Sequence, residues 1–283
     1  MCGEASNDTS AQMNILFVGG GNMASALIGG LIDQGWRAEH LSVVEIAEDA
    51  RRALRERFGI ACEAQPPQPI AHDALVMLAI KPQHMREAAQ ALRAHLAGQL
   101  VVTIAAGIRT QDLSRWLGGH ERLVRVMPNT PALLRAGVSA LFAAPGVSAA
   151  DREHVQSVLA AVGPTLWVER EDLMDAVTAV SGSGPAYVFY FMEALIQAAR
   201  ELGLTEAAAR LLTLETFHGA ALLARQGDEP PAVLRARVTS KGGTTERALR
   251  VLDELGVRER LVDAVKQAAA RSRELGEELG RSD

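Results

Sequence analysis

The sequence predicts a doubly wound α/β domain followed by an all-α domain, and three observations predict it. Through the first half, short unbroken apolar segments alternate with amphipathic helical stretches, the pattern of parallel strands buried on both faces and joined by right-handed helical crossovers. The first apolar segment runs straight into three consecutive glycines at the mouth of a helix. Beyond about residue 170 the strand signals stop and helical periodicity continues to the end.

Met13 to Val18 (MNILFV) reads as the first strand and is followed by a helix over Asn22 to Gln34. Ala24, Leu27, Ile28 and Leu31 lie on one face of that helix, and Gly35 stops it. Leu41 to Val44 is the second strand. The helix from Ala47 to Phe58 carries Glu48, Asp49, Arg51 and Arg55 on its polar face. The prolines of QPPQP at 65–69 exclude regular helix there. Ala74 to Ile80 is another buried strand, closed by Lys81-Pro82. Gln83 to Leu96 is a helix, Leu100 to Ile104 a strand, Thr110 to Leu117 a short helix, and Leu123 to Met127 a strand that ends in MPNTP. From Leu173 onward helix follows helix. Tyr187 to Leu202 is apolar nearly all round, which predicts a central helix buried against a partner helix or a second subunit. Leu261, Val265, Ala268, Ser272, Leu275 and Leu279 form a stripe on the last helix. The expected organisation is a leader over 1–12, a dinucleotide-type domain over 13–170 and a helical domain over 171–283.

The bulk properties fit this. The chain of 283 residues is 48% hydrophobic and 22% charged, with only 4% aromatics, a composition of closely packed helices and strands. The formal net charge of -5 and the absence of a Lys/Arg cluster argue against nucleic acid as a partner. No apolar run reaches the roughly 18 residues of a membrane span. MCGEASNDTSAQ has neither a basic n-region nor an apolar h-region. Two thiols, Cys2 and Cys62, are placed too awkwardly for a structural disulfide, and free thiols fit a reducing cytoplasm.

The segment FVGGGNMASAL carries the strongest local chemistry. Gly19, Gly21 and Ala24 supply a G-x-G-x-x-A pattern between strand and helix. Gly19 permits the tight turn, Gly21 lets a diphosphate approach the backbone, and Ala24 allows close helix-strand packing. Val18, Gly19, Gly20, Gly21, Asn22, Met23 and Ala24 therefore form the expected cofactor cradle, with the diphosphate at the positive end of the helix dipole. Such turns also serve packing alone; here the strand, the helix and an acidic residue coincide. That residue is Glu45, 21 residues after Ala24, where about 20 is expected of a carboxylate that takes the adenosine ribose hydroxyls. It would repel a 2′-phosphate, so the charge leans toward NADH over NADPH. The alternative is a solvated carboxylate at a strand end. The domain is then of the Rossmann type.

Five further segments narrow the chemistry: LAIKPQ at 78–83, AAGI at 105–108, RVMPNTPA at 125–132, SGSGPAYVFYFMEAL at 181–195 and TSKGGTTERAL at 239–249. In this order and spacing the chain resembles the pyrroline-5-carboxylate reductase family from about residue 13 to 275. The resemblance implies hydride transfer from NAD(P)H to the C=N carbon of 1-pyrroline-5-carboxylate, giving L-proline, in a cytoplasmic enzyme of proline biosynthesis. It implies that Ala79, Ile80, Lys81 and Pro82, with Ala105, Ala106 and Gly107, line the nicotinamide half of the cofactor. It places the substrate carboxylate on backbone N–H groups from Gly243 to Thr245, including Thr244. It gives the catalytic positions to Thr245, at the imine nitrogen, and Ser240 in the same loop. Glu171 resembles a residue that contacts the substrate amine. Where relatives often carry proline after the loop serine, this chain has Lys241. Lys81 read alone is a snorkelling lysine, the 127–131 turn is either the floor of the site or structural, and Ser181 to Gly184 are expected to give turn geometry and N-capping hydroxyls to the long helix.

The remaining residues offer little other chemistry. The seven histidines are scattered without an H-x-x-x-H or H-E-x-x-H pair, which argues against zinc. Gly182-Ser183-Gly184 is no G-x-S-x-G elbow. A two-domain hydroxyacid dehydrogenase shares the layout but needs a lysine in the interdomain helix, and Gly184 to Ala199 has none. A non-catalytic nucleotide-binding protein is the other alternative. The apolar helices exceed what some 110 residues bury alone, so a homodimer through the C-terminal domain, or a ring of such dimers, is expected.

Overall fold

A computed structural model describes residues 13–281, so the leader expected over 1–12, with Cys2, lies outside the described residues. The chain divides into two compact units, one of residues 1–182 with 269–283 and one of residues 183–268.

In the first unit the elements run β1 (Ile15–Val18), α1 (Asn22–Asp33), β2 (Leu41–Val44), α2 (Glu48–Phe58), β3 (Ala61–Glu63), β4 (Leu75–Leu78), α3 (Pro82–Leu92), β5 (Leu100–Thr103), α4 (Thr110–Trp116), β6 (Leu123–Met127), β7 (Ser139–Ala143), α5 (Ala149–Ala160), β8 (Thr165–Trp167) and α6 (Leu173–Val177). They build one sheet of eight strands in the order β3-β2-β1-β4-β5-β6-β7-β8. Strands β1 to β6 pair in parallel; β7 runs antiparallel to β6, and β8 parallel to β7. The parallel sheet expected from the β-α alternation thus carries an antiparallel turn-back toward one edge.

Alternation along each strand divides the core. Ile15 and Phe17 of β1, with Leu41, Val43, Leu75 and Met77, pack against Leu27, Ile28 and Leu31 of α1 and Val155 and Leu159 of α5. Leu16 and Val18, with Val44, Val76 and Leu78, pack on the opposite face against Met85 and Leu92 of α3 and Leu113 and Trp116 of α4. Successive strand side chains point to opposite faces, so a run apolar at every position has to be covered on both. Cys62 of β3 is buried, and burial pushes its thiol up from the ordinary value. Arg122 holds Asp151 in the capping box of α5, bonding at 2.6 and 3.0 Å, and lowers that carboxyl to about 2.

The second unit contains α7 (Gly184–Glu201), α8 (Glu206–Gln226), α9 (Pro231–Arg237), α10 (Thr244–Glu254) and the first half of α11 (Val257–Gly280). α7 and α8 pack side by side. The helix expected to be central is bare in the single chain: α7 has no buried residue, and Phe189, Tyr190 and Leu202 are 58%, 68% and 86% exposed. The unit boundary also differs from the one expected after residue 170. The segment 171–182 stays with the sheet because α6 is contacted by β7, and the last thirteen described residues return to it. The described helices include none long and apolar enough to cross a membrane.

Candidate active site

The first cluster of expected site residues gathers where β1, β2, β4 and β5 end. Gly19 donates its N–H to Val44 O at 2.8 Å, and Ala79 donates to Val18 O at 2.8 Å, so the tips of β1, β2 and β4 are fastened to one another. Gly19 has φ +100, and a Cβ on it would lie 2.5 Å from Ala79 O; only glycine fits between these tips. Gly21 behaves differently. It is exposed, is the N-cap of α1 with φ -68, no side chain caps the helix there, and a Cβ on it would meet nothing within 4 Å. The first intrahelical bond runs from Ser25 N to Gly21 O, which leaves the N–H groups of Asn22, Met23 and Ala24 facing outward from the helix start. The gap before them is open to a diphosphate, and the residues present fit a dinucleotide.

Glu45 stands at the tip of β2. Its Oε2 accepts from Gly20 N at 3.0 Å and its Oε1 from Ala47 N at 2.9 Å, so the carboxylate is pinned beside the glycine turn. Arg51 is not free to answer a further phosphate. Its Nη1 donates to the carbonyls of Glu45 (2.6 Å) and Ile46 (2.9 Å), and Nη2 pairs with Glu48. Arg52 pairs with Asp49 at 2.6 Å. The fold-back of Arg51 onto two carbonyls is a tertiary detail with no local signature in the sequence.

Lys81 is exposed and is the N-cap of α3, with Pro82 in the first turn. Ala79 and Ile80 are half-buried beside Gly19. After β5 the loop turns at Gly107, with φ +75; Ala105 is buried and Ala106 exposed. These positions share the carboxyl ends of neighbouring parallel strands, where ligands of open α/β sheets lie.

Glu171 is already engaged: Oε1 accepts from Thr110 N at 2.7 Å and Arg125 Nη1 at 3.2 Å, and Oε2 accepts from the Thr110 hydroxyl at 2.7 Å. Its carboxylate ties the segment after β8 to the start of α4 and to the buried Arg125 of β6. One expectation needs correction: hydroxyls do not cap α7. Ser183 is its N-cap but makes no side-chain bond, because Thr178–Gly182 before it already forms a π-helical turn that continues α6. The Ser181 hydroxyl is buried without a partner in the structure. In the 127–131 turn, Asn129 Oδ1 accepts from Val138 N at 2.9 Å, which supports the structural reading of that turn.

The second cluster lies in the helical unit. Gly242 has φ +74, Gly243 N donates to Ser240 O at 3.0 Å, and Gly243 is the N-cap of α10 without a side-chain cap. Arg247 N reaches Gly243 O at 3.2 Å, so the N–H groups of Thr244, Thr245 and Glu246 precede the helical ladder. Ser240, Gly243, Thr244 and Thr245 thus share one turn. Glu246 was missed: its Oε2 accepts from Gly242 N at 2.7 Å and closes the glycine turn from the helix side. The signal was legible in the sequence, as an acidic residue three positions after the capping glycine. Among the described residues no group of three His, Cys, Asp or Glu is placed to hold a metal ion.

Comparison with known proteins bears on both clusters. Residues 14–107 match the family model described as NADP oxidoreductase coenzyme F420-dependent, and residues 171–275 match pyrroline-5-carboxylate reductase dimerisation. A pyrroline-5-carboxylate reductase from Pseudomonas aeruginosa is 45% identical over 94% of this chain and 98% of its own length. One from Pasteurella multocida is 40% identical over 93% and 97%. Among solved structures, a pyrroline-5-carboxylate reductase from Coxiella burnetii superposes with a TM-score of 0.88 at 40% identity, covering 93% of this chain and 98% of that one. The Plasmodium falciparum pyrroline carboxylate reductase with NADP bound gives 0.81 at 26% identity, covering 94% and 98%.

Proposed function

Because the chain belongs to the pyrroline-5-carboxylate reductase family, we propose that it reduces 1-pyrroline-5-carboxylate to L-proline with a nicotinamide dinucleotide. It is an NAD(P)H-dependent oxidoreductase acting on a carbon–nitrogen double bond. The observation that carries the residue-level reading is the presence of two similar helix starts, α1 at Gly21 and α10 at Gly243, each opening at a glycine with no side chain over its N–H groups. One start suits a diphosphate and the other a small carboxylate.

When bound, the reduced nicotinamide supplies the hydride. The residues of the chain bind and orient. Gly19 to Ala24 hold the diphosphate, Glu45 takes the adenosine ribose hydroxyls, and Ala79 to Pro82 with Ala105 to Gly107 line the nicotinamide side. At the helix start opened by Gly243, whose own N–H is on Ser240 O, the N–H groups of Thr244 and Thr245 take the substrate carboxylate. The Thr245 hydroxyl holds the ring nitrogen, with Ser240 bracing the turn. A protonated imine carbon is already a strong hydride acceptor, so a site poor in titratable groups suffices and the catalysis is mainly positioning. Lys241 adds a cation near an anionic substrate.

The pinned carboxylate of Glu45 and the commitment of Arg51 and Arg52 to other acceptors support a preference for NADH. The exposed apolar face of α7 and α8 supports a homodimer through the helical unit, assembled further into a ring. We place the working division of the chain as a dinucleotide domain from 13 to about 170 and a substrate and dimerisation domain beyond it, with the protein in the cytoplasm. The test is Thr245→Ala. The variant should raise KM for the imine and lower turnover, together reducing kcat/KM about tenfold for a lost hydrogen bond of about 1.4 kcal/mol, and leave cofactor affinity unchanged. Native kinetics in the variant would remove Thr245 from the reaction, and a native protein that does not oxidise reduced nicotinamide on addition of pyrroline-5-carboxylate would remove the reaction itself.

A further inference from the structure

The last helix begins in one unit and ends in the other, and its final turns pack on the loop after β5. Ser272, Gly276 and Gly280 recur at four-residue spacing, on one face, and Ser272 and Gly276 are buried. Ser272 Oγ donates to Asp175 Oδ1 of α6 at 2.7 Å. A Cβ on Gly276 would lie 3.1 Å from Arg109 Nε and 3.3 Å from Gly107 O, and one on Gly280 would collide with the carboxylate of Asp112. From the other side, the space beside Gly107 is filled by Leu279, whose Cδ1 lies 3.2 Å from where a Cβ would stand. Charged groups lock the register. Arg109 donates to Arg273 O at 3.3 Å and pairs with Glu277 at 3.6 Å, and Arg115 donates to Gly280 O at 2.6 Å.

The loop is held at its ends, by Ile104 N on Leu78 O at 3.2 Å and by the buried Ile108. Its middle passes through Gly107 in the left-handed region beside the exposed Ala106, and there the end of α11 supplies the backing. Small residues that touch a ligand through their backbone give affinity only if that backbone is held to about half an ångström. We propose that the helix end Ser272–Gly280 is a positioning element for the loop Ala105–Gly107, so that affinity for the nicotinamide cofactor depends on side chains that never touch it. This rests on the reading of Ala105, Ala106 and Gly107 as cofactor-lining residues.

The experiment uses the full chain with Leu279→Ala, Leu279→Val and Leu279→Met. Dissociation constants for NADH and NADPH are measured by fluorescence titration without substrate, alongside thermal unfolding and, in the steady state, KM for each substrate. Leu279→Ala should weaken cofactor binding about five- to tenfold, Leu279→Val less, and Leu279→Met should restore most of it, while KM for the imine stays within twofold. A lowered melting temperature with cofactor affinity within twofold of native would overturn the proposal, because the helix end would then serve folding alone. Should Leu279→Ala fail to fold, Leu279→Val decides the matter in its place, since its affinity must fall if the proposal holds. Binding is measured apart from turnover, so a native protein that holds the cofactor yet reduces no imine would sink the reaction and leave this inference standing.

Discussion

Two glycines of one turn should respond to the same substitution in opposite ways. Gly21→Ala places a methyl group in open space, on a backbone of φ -68 and ψ -174 that any residue adopts. Loss of a glycine N-cap costs about 0.5–1 kcal/mol, and the stiffer unfolded chain returns about 0.4–1 kcal/mol. The free protein should therefore melt within about 2 °C of native. The same methyl group projects into the gap where the reading places the diphosphate, so the affinity for NADH and NADPH should fall at least tenfold, about 1.4 kcal/mol. Gly19→Ala is the converse. Its φ of +100 costs about 1–3 kcal/mol for a residue with a side chain, and its Cβ would stand 2.5 Å from a backbone carbonyl oxygen that pairing between β1 and β4 holds in place. A total near 3 kcal/mol or more should lower the melting temperature by roughly 6–12 °C. Thermal unfolding and fluorescence titration on both variants separate the two effects. Gly21→Ala that binds cofactor as tightly as native would refute the assignment of the diphosphate to this turn.

Three further outcomes follow from the same structure. Glu45→Gln can keep the acceptor for Gly20 N, gives up that for Ala47 N and removes the charge, and should raise kcat/KM for NADPH relative to NADH by about tenfold; an unchanged ratio would end the charge argument for cofactor preference. Asp151, held at about 2 by Arg122 against an ordinary 3.8, contributes stability present above about pH 4 and lost as the pH falls through about 2. Asp151→Asn should thus cost about 2 kcal/mol in urea unfolding at pH 7, with the difference from native shrinking below pH 4, and a difference constant with pH would contradict the ion pair. The exposed Phe189, Tyr190, Leu202 and Leu223 require a covering surface, so light scattering at micromolar concentration should report at least a dimer, and a monomer would refute the helical interface.

The parts of the fold legible in the sequence are those where one period dominates. β1, β4 and β5 are buried on both faces, so every position but Thr103 is apolar, and the helices between them carry one apolar stripe each. The elements passed over have mixed signals. β3 is a three-residue strand at the sheet edge with two of its residues exposed, and β8 has only partly covered side chains. β7 leaves the β-α alternation by running antiparallel to β6, and α5 follows it without the strand–helix rhythm that marked the others. The end of α11 was legible in part. Its stripe includes Ser272, which is buried, and Leu279, which packs on the core, yet Leu275 of the same stripe is 39% exposed while Gly276 is buried. Where a helix approaches backbone closely, small residues mark the contact, and Gly276 carries no apolar signal of its own.

The site divides along the same physical line. Positions that act through backbone geometry announce themselves in sequence, since glycine is chosen there for want of a side chain: Gly19 for a close approach, Gly21 and Gly243 for uncapped helix starts. Positions that act through a charged side chain do not, because a carboxylate is defined by its neighbours. Glu45 and Glu171 look alike as isolated acids at or beyond a strand end. The fold puts one beside the glycine turn with its oxygens on two backbone N–H groups, where a ribose hydroxyl can still join. It wraps the other in Thr110 and Arg125, from 61 and 46 residues away, and leaves its side chain 22% exposed. The first carboxylate is therefore held by its own turn with acceptor capacity to spare, as the proposed ribose contact requires, and the second holds together the segments on which the loop after β5 and the end of α11 converge.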